Sequence, residues 1–80
     1  MFHYVYILES VSTPRRHYVG LTENLKERLA KHNAGAVTHT RNDKPWVIHV
    51  AIAFRHREGA VEFDRYLKSG SGRAFSEKHF

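Results

Sequence analysis

The sequence predicts an α+β fold: a small three-stranded antiparallel sheet flanked by helices, in the order ββαβαα. Two alternating stretches, FHYVYIL and HYVGL, lie either side of SVSTPRR and read as a hairpin. Two amphipathic runs, LKERLAKHN and REGAVEFDRYLKSG, carry apolar residues at helical spacing. A third apolar stretch, WVIHVAIAF, stands between those runs and supplies the last strand. Paired strands first and helices outside them make an α+β arrangement. The 80 residues form one domain, 1–80.

Each element has its own signal. In the first strand Tyr4, Tyr6 and Leu8 share one face, and His3, Val5 and Ile7 share the other. Across the hairpin, Val19 joins Val5 and Ile7, while Tyr18 joins Tyr6. Thr22 or Asn24 caps the first helix. Asn24 with Glu27 three residues on resembles a capping box. That helix runs to about Asn33, with Gly35 as its stop signal. AVTHTRNDKP is a polar loop ending in Pro45. WVIHVAIAF is apolar on both faces, which predicts a buried strand, with Trp46 in the core. The second helix is expected to stop at Gly70, and GRAFSEKHF to form a short final helix.

Lys plus Arg number 13 against 8 acidic residues, a formal charge of +5, which suits a polyanionic partner such as nucleic acid. There is no cysteine, so no disulfide framework and no cysteine nucleophile. Its absence suits a reducing compartment, and the expected location is cytoplasmic. No apolar run reaches the length of a membrane span.

Helix geometry singles out a few polar residues. Leu25 and Leu29 mark the apolar stripe of the first helix. At 100° per residue, Arg28 lies about 60° and His32 about 20° from Leu25, so both border the face turned to the sheet. On the second helix Ala60, Phe63 and Leu67 mark the inner face, with Asp64 among them and Glu62 turned to water. A carboxylate on an inner face needs a partner. An Asp64–Arg28 ion pair holding the helices is one explanation; a metal ion is another.

YVY at Tyr4–Tyr6, YVG at Tyr18–Gly20, and Arg28 with His32 on the following helix resemble the GIY-YIG nuclease family. Homing endonucleases and the N-terminal incision domain of bacterial excision repair belong to it. The tail YLKSGSGRAF resembles its small stand-alone bacterial members, and the likeness covers essentially the whole chain. The resemblance implies DNA phosphodiester cleavage with a divalent metal, Mg²⁺ or Mn²⁺. It assigns catalytic roles to Tyr6, Tyr18, Arg28 and His32. The family's metal-binding glutamate falls at Asp64. Three departures stand out: Tyr4 replaces the usual glycine, valine replaces isoleucine in both motifs, and aspartate replaces the glutamate. The last withdraws the carboxylate by about 1.5 Å.

The chemistry fits these residue types. Mg²⁺ keeps most of its waters and needs only one or two carboxylates, so Asp64 can serve. The Arg28 fork matches phosphate. Either Tyr6 or Tyr18 is a candidate to take the water's proton, a role that calls for a lowered phenol pKa. His32 accepts or relays a proton. His39, Thr40, Arg41, Lys68 and Arg73 are expected to contact nucleic acid. The five core residues are expected to converge on one shallow, positively charged concavity. The substrate is expected to be DNA, branched or damaged, in repair or recombination, with a targeting protein partner. The alternative is a nucleic-acid-binding module that kept the fold and lost efficient cleavage.

Overall fold

A computed structural model describes residues 1–80. Strand β1 (His3–Ser10) is central, with β2 (His17–Thr22) on one side and β3 (Trp46–Phe54) on the other. Both pairings are antiparallel. Helix α1 (Leu25–Asn33) follows the hairpin; α2 (Arg57–Leu67) and α3 (Gly70–His79) follow β3. The three-stranded sheet and ββαβαα order agree with the sequence reading.

Strand alternation divides the core into two layers. Val5 and Ile7 face α2, packing with Ala60 and Leu67 and with Val19, Leu21, Phe63 and Phe75 around them. Tyr6, Leu8 and Trp46 face the other way, with Tyr18, Leu25 and Leu29 packed against them. So α1 covers one face of the sheet and the α2–α3 pair covers the other. The register sets this division: Ile7 pairs with Val19 and Leu8 with Tyr18, so each face of β1 finds like residues on β2.

Asn24 is the cap of α1. Its side-chain oxygen accepts from the Glu27 N–H at 3.0 Å, and Thr22 Oγ1 accepts from the Asn24 N–H at 3.1 Å. At the far end Asn33 joins α1 to β3. Its amide nitrogen donates to the Trp46 carbonyl at 3.0 Å and its oxygen accepts from the Trp46 N–H at 2.6 Å. Asn33→Ala leaves both groups of a buried residue without those partners. A loss of roughly 1–3 kcal/mol is expected, read as a fall in thermal midpoint. An unchanged midpoint would show that water replaces the clamp.

Two expectations are corrected. β3 is an edge strand, not a buried one: Val47 is 46% and Ile48 40% exposed. It pairs only with β1, so its outer edge has no neighbouring strand. Gly70 does not stop α2, which ends at Leu67. The Ser69 hydroxyl accepts from the Gly72 N–H at 3.1 Å and starts α3, so Gly70 is the first residue of the next helix.

Candidate active site

The site is built around Tyr6, in the middle of β1. Its neighbour across the hairpin is Gly20. A Cβ placed on Gly20 would overlap the Tyr6 hydroxyl and the end of its ring. The absent side chain is therefore what allows the ring to lie across the outer strand. Gly20→Ala is expected to displace Tyr6 at a cost of about 1–3 kcal/mol. Cleavage should fall more than stability does, because the hydroxyl moves. A Gly20→Ala chain with wild-type thermal midpoint and wild-type cleavage would refute this.

Three rings meet here. Tyr18 lies 6.4 Å from Tyr6 and 4.9 Å from His32, and Tyr6 lies 6.0 Å from His32, centroid to centroid. His32 is fully buried. Its Nε2 is 3.1 Å from the Tyr6 hydroxyl, and its Nδ1 is 2.7 Å from Thr40 Oγ1. The indole Nε1–H of Trp46 donates to the Thr40 carbonyl at 2.8 Å. The one-turn spacing of Arg28 and His32 puts both on the sheet side of α1, as the helix geometry predicts.

Burial pushes the Tyr6 phenol up to about 12; Tyr18 and Asp64 push the same way, and Arg28 opposes them. The lowering that a phenolate base calls for is not there, because desolvation outweighs the guanidinium. Burial lowers the pKa of His32, and Arg28 adds to the effect. These shifts shape stability against pH. Below about 6.5 the unfolded histidine takes up a proton that folded His32 refuses, so stability falls as pH drops from there. Between 10 and about 12 folded Tyr6 keeps a proton that the unfolded chain releases, so stability falls again as pH rises. Thermal unfolding across pH should show both arms, and Tyr6→Phe should flatten the alkaline one. An alkaline arm unchanged by that substitution would contradict the assignment.

Asp64 reaches the site from the opposite face of the sheet. Its side chain is 18% exposed, while Glu62 is exposed to water, as the helix-face reading predicts. The expected Asp64–Arg28 ion pair does not form. Lys68, one turn on, takes that place: its Nζ lies 3.1 Å from Oδ1 and 3.2 Å from Oδ2. Only Oδ2 receives a well-directed hydrogen bond; Oδ1 is buried and has none. Arg28 and Asp64 thus act on Tyr6 from the two faces without touching each other.

With this geometry in place, similarity to known proteins decides the family. The GIY-YIG catalytic domain pattern matches residues 2–78. The chain belongs to the GIY-YIG family. A solution NMR structure of a UPF0213 protein from Bacillus halodurans is 32% identical, with a TM-score of 0.58 over 96% of this chain and 81% of that one. The structure-specific endonuclease subunit SLX1 of Candida dubliniensis is 38% identical over 74 residues, 84% of this chain and 26% of that protein. SLX1 of Candida glabrata is 31% identical over 84 residues, 85% of this chain and 27% of that protein. This chain thus spans about a quarter of the SLX1 proteins it matches.

In this GIY-YIG domain the five core residues do not line one concavity. Tyr18 borders a cleft of about 630 Å³ with Lys68, Arg73, His17 and His49. Tyr6 and Arg28 border a separate small gap under α1. Tyr6 is held away from the larger cleft by its burial beneath α1. Of the residues expected to touch nucleic acid, Lys68 and Arg73 line the larger cleft, and His39 and Arg41 are exposed on the loop after α1. Thr40 is corrected: it is fully buried, with its hydroxyl against His32, and has no surface to offer a strand. Sequence reasoning missed Gly20 as the space for Tyr6. It also missed Lys68 as the partner of Asp64, although their four-residue spacing was a visible signal.

Proposed function

We propose that this domain is a divalent-metal-dependent endonuclease that hydrolyses DNA phosphodiester bonds. The observation that carries the reading is the 3.1 Å hydrogen bond between the Tyr6 hydroxyl and His32 Nε2, set among Tyr18 and Arg28. A phenol with a pKa near 12 is a poor phenolate base at neutral pH. Coupled to a neutral imidazole it needs no phenolate. As Tyr6 receives a proton from the attacking water, it passes its own to His32. The lowered pKa keeps His32 neutral and able to accept. Tyr18 packs against both rings and fixes their spacing. Arg28 offers forked donors to the phosphate as negative charge accumulates.

Asp64 would hold the metal. Its Oδ1 is buried and receives no well-directed hydrogen bond, only the Lys68 ammonium 3.1 Å away, a position that suits a cation asking for one or two protein oxygens once Lys68 gives way. No group of three or more His, Asp or Glu side chains is close enough to chelate an ion unaided, so an ion held by Asp64 would need oxygens from water and substrate as well. When bound, Mg²⁺ or Mn²⁺ supplies Lewis acidity at the phosphate. The likeness to structure-specific endonuclease subunits supports branched DNA as substrate, a repair role and a targeting partner protein. The Lys68–Asp64 pair favours a second reading, a nucleic-acid-binding module with little cleavage, should Lys68 keep that carboxylate.

Nicking of supercoiled plasmid and cutting of flap oligonucleotides, with Mg²⁺, with Mn²⁺ and with chelator, test the proposal. Metal-dependent cutting supports the nuclease. Salt-sensitive DNA binding without cutting supports the module.

A further inference from the structure

Thr40 reads from the sequence as a loop residue for DNA, and the structure buries it instead. Its hydroxyl has two neighbours, His32 Nδ1 at 2.7 Å and the Val37 carbonyl at 3.4 Å. A neutral imidazole has one hydrogen, and two arrangements compete for it. In one, Nδ1–H donates to Thr40, the Thr40 O–H donates to the Val37 carbonyl, and Nε2 accepts from the Tyr6 O–H. Every hydrogen then has an acceptor. In the other, Thr40 donates to Nδ1 and Nε2–H donates to the Tyr6 oxygen. The Tyr6 O–H is then left without a protein acceptor in a residue only 2% exposed. Buried donors are rarely left unpaired, so the first arrangement is favoured.

We infer that Thr40 is a positioning residue that holds His32 as the Nδ1–H tautomer and so leaves Nε2 as the acceptor of the Tyr6 proton. The fold grips Thr40 from its other side. The Trp46 indole donates to its carbonyl, and Asn33, next to His32 in the chain, clamps the Trp46 backbone. His32 and the group that orients it are thereby tied to one another through β3. Burial and the nearby Arg28 keep the ring neutral, which is the state in which a tautomer choice exists. The proton-relay consequence rests on the nuclease reading above; the tautomer itself does not.

Long-range ¹⁵N–¹H correlation spectra of the ¹⁵N-labelled chain at neutral pH read the protonated nitrogen directly. The wild type is expected to carry its His32 proton on Nδ1. Thr40→Ser, which keeps the hydroxyl, should preserve that pattern. Thr40→Val should give a mixture or the Nε2–H form, with kcat lowered on the order of 10²-fold and KM little changed. A wild-type spectrum showing Nε2–H overturns the inference. So does a folded Thr40→Val chain that keeps Nδ1–H. Should Thr40→Val fail to fold, the wild-type and Thr40→Ser spectra still decide. If no form cuts DNA, the nuclease reading fails while the spectra continue to judge Thr40.

Discussion

Arg28→Ala is expected to lower cleavage by about 10³-fold or more while leaving the fold intact. The size follows from losing a fixed cationic donor at a phosphoryl group, where a single arginine is worth roughly 10³–10⁵ in rate. The intact fold follows from its surroundings. Arg28 is partly exposed and forms no ion pair, and Asp64, on the other face of the sheet, is paired with Lys68 instead. A buried structural pair would lose several kcal/mol on truncation. Here the change in stability should stay within about 1 kcal/mol, typical of positions without special contacts. Removing a positive charge that holds down the pKa of His32 should, if anything, let that pKa rise. Arg28→Lys should recover little, since an ammonium cannot reproduce the fork. Thermal unfolding and plasmid nicking on the same preparation decide the matter. A large loss of stability in Arg28→Ala, or near-wild-type nicking, would sink the assignment.

Asp64→Asn is expected to remove metal-dependent cleavage. A neutral amide forfeits the charge that would hold the ion, and Lewis-acid stabilisation at phosphate amounts to several kcal/mol, roughly 10³-fold in rate. Asp64→Glu should keep or raise activity, because it restores the reach that the family's glutamate has. Wild-type activity should be weak, with Mn²⁺ at least as effective as Mg²⁺, whose octahedral demands are stricter. Glu62→Gln should leave activity nearly unchanged, because that side chain points to water. Lys68 adds a further expectation. Its pairing with Asp64 competes with a metal, so Lys68→Ala should lower the metal concentration needed for half-maximal rate. Loss of nicking in Glu62→Gln with Asp64→Asn intact would identify the wrong carboxylate.

The sheet and the first helix were legible because their signals are local. Alternation placed Tyr6 and Tyr18 together, and the register bears it out. The Asn24–Glu27 pair marked the start of α1 where the structure begins it. The exposure of β3 was not legible, because apolar residues on both faces fit a central strand and an edge strand alike. Strand order is a long-range property: β1 became central only because it recruits β3 as well as β2. Thr40 was misread for a related reason. A threonine in a polar loop looks solvated until the distant His32 and Trp46 are brought to it. Whether the phenol meets the lowered pKa that a base role calls for was not legible either, because a neighbouring arginine is visible in a sequence, whereas desolvation is not.

The overlap of Tyr6 with the space above Gly20 changes how the two short signatures ought to be counted. They are separated along the chain, yet the hydroxyl of one fills the volume that a side chain in the other would need. They are a single steric constraint recorded in two places. A search that scores them as independent overstates the information they carry. Conversely, a sequence that has gained a side chain at the glycine and kept the tyrosine is more suspect than one that has changed at both. Tyr6→Ala, which removes the whole ring, alongside Gly20→Ala should therefore cost less stability than the sum of the two single changes.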